Sequence, residues 1–343
     1  MVTGANGFIG KTLCKSLKTI GCYVVGLDRV PSRSSCDVCY VGDLSVKGLW
    51  VEALKDAEVV FHLAGKVHAL AEVSQDEAEY FRINLEGTKN LLEAGNQAMV
   101  RKIVFFSTVK AMSRDEDGIT RDRNNAREVR PEKEPSQSCV CSARAFSEDD
   151  LIEPDTPYGR SKLEAERLVL HGGFVPEPVV LRLCMVYGAG AKGNMQKMLQ
   201  AVSNHRFPPI PEVDNRRSML HVADVIQAAV LVAEHSAAVG KIFIVSDGQS
   251  YSTRKVYDLM CRALGRTPPN WSVPLWILRG LGHVGDQIGR LRGRRFVFDT
   301  DALRKLIGDA WYSSEKLESQ LGFKPEWTLE KAMPEMVAEL NRR

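Results

Sequence analysis

Two short stretches hold residue types at spacings that chemistry can use. The first, Gly4-Ala5-Asn6-Gly7-Phe8-Ile9-Gly10, sets glycines between a short apolar start and a helical pattern. Glycines there let the chain turn tightly and let backbone N–H groups approach a pyrophosphate at a helix N-terminus. The next apolar run, Tyr23 to Asp28, ends in an acid 18 positions beyond Gly10. That is close to the spacing of a carboxylate that hydrogen-bonds an adenosine ribose. Together the two features predict a dinucleotide site, with Gly4, Gly7, Phe8, Ile9, Gly10 and Asp28 against the cofactor. A carboxylate repels a 2′-phosphate, so Asp28 favours NAD, while Arg29 beside it could embrace that phosphate and leaves NADP open. Asp43-Leu44, after the third apolar run, either meets the adenine edge or caps a helix from Ser45 onward.

The second stretch is Tyr158-Gly159-Arg160-Ser161-Lys162. Thr156 suits a helix cap and Pro157 the first helical position, so a helix is expected to start here. Tyr158 and Lys162 then lie one turn apart on the same face. A neighbouring ammonium and a positively charged nicotinamide would both lower the pKa of a tyrosine from its free value near 10, giving an acid/base usable near neutral pH. Such a pair is common by chance, and it gains meaning by following a dinucleotide fingerprint.

The elements that must position these groups read as a parallel sheet with crossover helices. Strands are expected at Tyr23 to Asp28, Cys39 to Val41, Glu58 to Leu63, Lys102 to Ser107, Val179 to Cys184 and Lys241 to Val245. Ile9, Leu13, Leu17 and Ile20 recur at helical spacing up to Gly21, and Phe81, Leu85, Thr88 and Leu92 mark a second helix followed by Gly95. Asn84 shares that helix face, so it is expected to be buried and hydrogen-bonded, either as a structural asparagine or in ordering the cofactor site. A charged stretch from about 114 to 144 has few apolar residues and reads as a solvated insertion. After about Ser250 helical patterns dominate. The expected fold class is α/β: a Rossmann-type doubly wound parallel sheet with a smaller, mostly helical C-terminal substrate lobe. The division is 1–182 plus 216–248 for the dinucleotide-binding part and 183–215 plus 249–343 for the lobe. Leu275 to Arg295 mixes Leu, Ile and Trp with five arginines. That composition allows a membrane-surface helix, but Gly280, Gly282, Gly285 and Gly289 interrupt it and favour a wall of the active-site cleft.

Composition excludes several classes. With 343 residues, 44% apolar and 26% charged, the chain is neither disordered nor fibrous. A formal charge of +3 gives no case for nucleic acid, and no apolar stretch approaches a membrane span. The N-terminus lacks a signal-peptide pattern, so the cytoplasm is the expected compartment. Cys36 with Cys39 and Cys139 with Cys141 could supply four thiolates to a metal. Since Cys39 begins an apolar strand and the second pair lies far away in a polar stretch, reduced thiols and no metal are the expectation.

Over nearly its whole length the chain resembles the extended short-chain dehydrogenase/reductases, especially the nucleotide-sugar epimerases and 4-ketoreductases. The resemblance rests on Thr3 to Gly10, Asp28, Gly42-Asp43-Leu44, His62-Leu63-Ala64-Gly65, Asn84, Ser107-Thr108, Tyr158 to Lys162, Val186-Tyr187-Gly188 and Arg217 to Asp224. It implies that Thr108 hydrogen-bonds the reacting sugar hydroxyl beside Tyr158, that Lys162 also holds the nicotinamide ribose, and that Leu63, Ala64 and Gly65 lie along the cofactor. It further implies Asn194 at the substrate diphosphate and Arg217 on the nucleotide phosphates, with a cap and a surface charge as their plainer readings. A UDP-linked sugar is the expected substrate and a homodimer the expected assembly. The family usually has more residues before Thr3, so either the first strand is short or the natural start lies upstream. Family dehydratases place Asp-Glu after the threonine, whereas Val109-Lys110 follows here, which argues against dehydration. An NAD-dependent 4-epimerase is the leading expectation, with a 4-ketoreductase close behind. A 3β-hydroxysteroid-type dehydrogenase shares the Tyr-Lys pair and a region like Val245 to Gly248, and Trp271 to Leu281 would suit a lipid. A non-catalytic NAD-binding scaffold or sensor usually loses the tyrosine or lysine, and both are intact.

Overall fold

The computed structural model describes residues 1–31, 35–67, 77–112, 144–150, 153–154, 156–292, 296 and 298–342. The expected insertion at about 114–144 and Cys139 and Cys141 thus lie almost wholly outside the described residues. Seven strands, β1 (Val2–Thr3), β2 (Val25–Asp28), β3 (Val38–Val41), β4 (Val59–His62), β5 (Lys102–Thr108), β6 (Glu177–Leu183) and β9 (Ile242–Val245), form one parallel sheet in the order β3-β2-β1-β4-β5-β6-β9. Strands β7 (Met185–Tyr187) and β8 (Met219–His221) pair separately. The sheet order reverses at β1, the doubly wound arrangement whose crevice opens at the carboxyl ends of the strands. β5 and β6 are buried along nearly their whole length, which is why they read as unbroken apolar runs.

Helices cover both faces. On one side, α1 (Phe8–Thr19) and α6 (Val222–Glu234) join a core that includes Leu13, Leu17, Val104, Leu181 and Val225. The other side is filled by α3 (Gly87–Gln97) and α4 (Pro157–His171), with Leu91, Leu92, Ala165 and Val169 against Ile103, Phe105 and Val180. A further core takes residues from α5 (Asn194–Ser203), α7 (Thr253–Ala263), α8 (Leu275–Arg292), α9 (Thr300–Ile307) and α11 (Leu329–Asn341), around Leu199, Met260, Leu278, Leu303 and Met333. Helix α10 (Glu315–Leu321) returns Leu317 and Leu321 to the first core. The six described cysteines form no disulfide.

Helix α2 (Glu77–Tyr80) runs into a π-helical turn, Phe81–Glu86, and then into α3. Gly95 does not end this run: it is buried inside α3, where a Cβ would make only ordinary contact with Val100 at 3.7 Å. The glycines of the first loop have a stricter reason. Gly4 sits at φ +68°, and a Cβ on Gly10 would fall 2.2 Å from the Gly4 carbonyl oxygen. Both the turn and the seating of α1 on it therefore need a missing side chain. Gly10→Ala should cost about 1–3 kcal/mol, the range of overpacking. Gly280→Ala, on an exposed helix position with nothing within 4 Å, should instead be neutral or stabilise by up to about 1 kcal/mol through helix propensity. Thermal melting of the two variants against wild type checks the contrast.

Candidate active site

A cavity of about 510 Å3 opens at the carboxyl ends of β1, β2, β4, β5 and β6. Its floor is the glycine loop: Gly4, Gly7, Phe8, Ile9 and Gly10 all line it. A Cβ on Gly4 would lie 2.9 Å from the Ala64 backbone nitrogen, so the end of β1 and the turn after β4 meet backbone to backbone. Leu63, Ala64 and Gly65 from that turn form the adjoining wall.

Asp28 ends β2 at the rim. One carboxylate oxygen accepts from the Asn6 backbone N–H at 2.9 Å and the other from the Arg29 N–H at 2.8 Å. The Asn6 side chain reaches back to the carbonyls of Val30 and Pro31 at 3.0 and 3.3 Å. Asp28 thus ties the glycine loop to the second strand and also fronts the cavity, and Arg29 lines the cavity beside it. Asp43 accepts from the Ser45 backbone N–H and hydroxyl at 2.9 and 2.8 Å, so it holds the turn after β3 while it and Leu44 line the cavity. No helix starts at Ser45, so Asp43 closes a turn there rather than capping a helix, and the next helical turn is Leu49–Leu54.

The opposite wall comes from β5 and α4. Thr156 accepts from the Gly159 N–H at 3.0 Å and Pro157 occupies the first turn, which starts α4 one residue before Tyr158. Tyr158, Lys162 and Thr108 all face the cavity. Lys162 is buried, its ammonium donates to the Phe106 carbonyl at 2.7 Å, and it lies 3.9 Å from the centre of the Phe105 ring. Burial pushes its pKa down to about 7, against the pull of the Glu166 carboxylate one turn on. Glu166 is itself buried. It is held by Arg182 through two donors at 3.1 and 2.6 Å and accepts from the Ser107 hydroxyl. A phenol and a lysine of lowered pKa on one helix face, beside a threonine, can move a proton at a carbinol.

Asn84 lies outside the cavity lining yet organises it. Its oxygen accepts from the Lys66 N–H at 2.7 Å, and its amide donates to the Lys66 carbonyl at 3.1 Å and to Ser161 at 3.0 Å. It therefore ties the Gly65–Lys66 turn to the tyrosine helix, and it does so from the π-helical turn, a distortion that recurs at functional sites. A buried line continues from it. The Thr88 hydroxyl donates to the Asn84 carbonyl at 2.6 Å, His62 bridges Thr88 and Thr3 at 2.9 and 2.8 Å, and the Ala64 N–H donates to Thr3 at 3.1 Å. Burial, with Lys162 nearby, pushes the His62 pKa down to about 3, so the ring is neutral.

Asn194 and Arg217 are not brought to the described cavity wall. Asn194 opens α5, and the Arg217 guanidinium donates to the carbonyls of Lys305 and Gly308 at 2.6 and 3.0 Å, at the end of α9. Residues of α8 are also absent from that wall, contrary to the expected cleft position of this segment. Conversely, Leu183, Cys184 and Ile83 line the cavity without having been singled out. Their apolar runs signal strand or helix, and nothing in them signals a site.

The model of the NAD dependent epimerase/dehydratase family matches residues 1–246. A UDP-glucose 4-epimerase from Vibrio cholerae is 25% identical, over 96% of this chain and 92% of its own. A 3-beta-hydroxysteroid dehydrogenase from Mycolicibacterium neoaurum is also 25% identical, over 98% of this chain and 89% of its own. Among solved structures, MoeE5 in complex with UDP-glucose and NAD has the same fold, with a TM-score of 0.73 at 24% identity over 99% of this chain and 98% of that one. The match across the sheet, the glycine loop and the tyrosine helix settles the kinship: the chain belongs to the NAD dependent epimerase/dehydratase family, whose members are NAD-dependent epimerases and oxidoreductases.

Proposed function

We propose that the protein is an NAD-dependent nucleotide-sugar 4-epimerase acting on a UDP-linked sugar. The observation that carries this reading is the convergence of Tyr158, Lys162 and Thr108 on the cavity floored by the glycine loop. The residues fit a dinucleotide: Gly4 and Gly10 leave no room for a Cβ, and the Asp28 carboxylate lines the same cavity. In this reading the glycine loop takes the pyrophosphate, Asp28 the adenosine ribose and Lys162 the nicotinamide ribose. The bound cofactor supplies a site that accepts and returns a hydride at the sugar C4. Tyr158 removes the C4 hydroxyl proton and later restores it. Thr108 hydrogen-bonds the same oxygen, and Lys162 lowers the energy of the phenolate by its charge. The 4-keto sugar turns over between the two steps. Val109, buried after Thr108, leaves no acid where dehydration would need one.

A 4-ketoreductase would use the same three residues with an exchanging cofactor. NAD that stays with the protein through gel filtration supports the epimerase, and loss of it supports the reductase. A hydroxysteroid-type dehydrogenase is favoured by the apolar Leu183 and Val186 on the cavity wall and by the Mycolicibacterium relative. Incubation with NAD and a panel of UDP-sugars, with products read by chromatography, tests the proposal. Interconversion of a 4-hydroxyl pair is the expected result. Failure to bind UDP by calorimetry in folded, NAD-bound protein would move the steroid reading ahead.

Three outcomes follow from the roles assigned. Tyr158→Phe should lower turnover by about two to four decades, the range for a positioned acid/base, with NAD affinity by calorimetry within a few-fold of wild type. Asp28→Ser should shift the NADP-to-NAD affinity ratio toward NADP by at least about tenfold, or about 1.4 kcal/mol. The ratio is the right readout because the lost tie to Asn6 weakens both cofactors alike.

The third concerns Lys162, whose pKa falls from 10.5 when unfolded to about 7 in the free folded protein. Between those values the unfolded chain binds more protons, so this group makes stability rise with pH across that window. Its full contribution is present above the unfolded value and is lost as pH falls through about 7. Denaturation of wild type minus Lys162→Met, from pH 7 to 10, should therefore climb by up to about 1.4 kcal/mol per pH unit. A flat difference would show that the ammonium is not desolvated.

A further inference from the structure

Helix α8 packs inward through a narrow side that includes two glycines and leaves several of its large residues outside. Its inner side presents Leu278, Gly282 and Gly285, and a Cβ on Gly285 would fall 1.9 Å from the Phe298 carbonyl oxygen. The glycines let the backbone press directly onto the segment that opens α9. The side chains that would ordinarily fill a core face the opposite way. Trp276 is 73% exposed, Val284 55%, Leu281 51% and Leu291 87%, and Trp271 just before the helix is 63% exposed. At 100° per residue, Trp276, Val284 and Leu291 fall on one stripe, with Leu281 at its edge, over about 22 Å of helix.

Charge is arranged along the same stripe. Arg279 and Arg290 border it on one side and Arg292 on the other, all exposed. The single acid of the helix, Asp286, is turned inward and accepts from the Thr300 hydroxyl at 2.9 Å and backbone N–H at 3.2 Å. Among the described residues no acid pairs with the three arginines. The outer face therefore carries a tryptophan-bearing, largely apolar stripe, with Gln287 and His283 also exposed on it, and its formal charges are all positive. A protein partner of ordinary composition would match the apolar stripe but not call for cations on both borders. A lipid surface calls for both: tryptophan and leucine enter the boundary between headgroups and acyl chains, and arginines meet anionic headgroups.

We propose that α8, with Trp271, is an interfacial helix that docks the protein on a membrane surface carrying anionic phospholipid. The helix lies in the plane of the interface. It does not cross it, since no described helix is long and apolar enough to span a membrane. The proposal does not depend on which substrate the active site takes.

Sedimentation with phosphatidylcholine vesicles, with and without phosphatidylglycerol, tests it on the full chain. Wild type should pellet with the anionic vesicles and much less with the neutral ones, and added salt should weaken the binding. Tryptophan emission should shift to the blue on binding. Arg279→Gln with Arg290→Gln should weaken binding at least tenfold, at about fivefold per arginine near an anionic surface. Trp276→Ser with Leu291→Gln should abolish it. Both variants should keep the wild-type melting temperature and NAD affinity, because none of these residues touches a core or the cavity. Folded wild type that ignores anionic vesicles would overturn the proposal, and so would variants that bind as wild type does. So would a self-association in sedimentation velocity that Trp276→Ser abolishes, which would assign the stripe to a second copy of the chain.

Discussion

One directed line of buried hydrogen bonds fixes how far the glycine loop stands from the tyrosine helix. The Thr88 hydroxyl gives its proton to the Asn84 carbonyl, so toward His62 it can only accept. The Nε2 of His62 must then carry the ring proton, and its Nδ1 must accept from Thr3. Thr3 in turn accepts from the Ala64 backbone. Every donor has one acceptor, and the order cannot be reversed without leaving a buried group unpaired, at a cost of about 1–3 kcal/mol. Protonating His62 would put a second donor against Thr3, which agrees with its low pKa. The line joins β1, β4 and the π-helical turn, and Asn84 carries it on to Ser161 in α4. The floor of the cavity and the wall that carries Tyr158 are thereby joined by one continuous set of buried hydrogen bonds.

The electrostatics of that wall centre on Lys162. Burial lowers the Lys162 pKa to about 7, which places both charge states within reach at neutral pH, while the Phe106 carbonyl and the Phe105 ring face favour the ammonium. Glu166 also opposes the lowering, but Arg182 already engages its carboxylate twice, so its pull on Lys162 is limited. The buried Glu166–Arg182 pair also fixes Ser107, the neighbour of Thr108. Such pairs contribute little net stability. Here the pair links α4 to β6 and, through Ser107, to β5; α4 and β5 carry Tyr158 and Thr108 to the cavity.

What the sequence revealed follows how local each requirement is. The glycine loop, Asp28 and the Thr156–Pro157 start of α4 are written in consecutive residues, because their causes are a backbone turn, a strand end and a cap. The family kinship and the doubly wound sheet were legible for the same reason. The partners of Asn84 lie 18 and 77 positions away, so its burial could be inferred but not what it joins. Arg217 shows the converse. Its motif suggested phosphate, while its guanidinium meets carbonyls 88 and 91 positions on, at a helix end where a cation is favoured by the helix dipole. In α8 the glycine spacing suggests interruptions, whereas Gly282 and Gly285 belong to the packed face, and only the fold reveals that several large side chains are left outside.

The division of labour along the chain explains why relatives with different substrates can share this architecture. The groups assigned to proton and hydride movement all precede the end of β6, and the buried line above locks them together. The apolar wall formed by Leu183, Cys184 and Val186 begins at that strand end, where the chain leaves the large sheet for the β7–β8 pair and the helical core beyond it. Changes there alter what lies opposite Tyr158 without disturbing Tyr158 itself. A sugar diphosphate and a fused hydrocarbon differ in what must surround them, and under the proposed function either would present a secondary alcohol to the same phenol. Fold and family therefore constrain the reaction more firmly than the substrate, and the proposed function leaves the choice of substrate to the elements that follow β6.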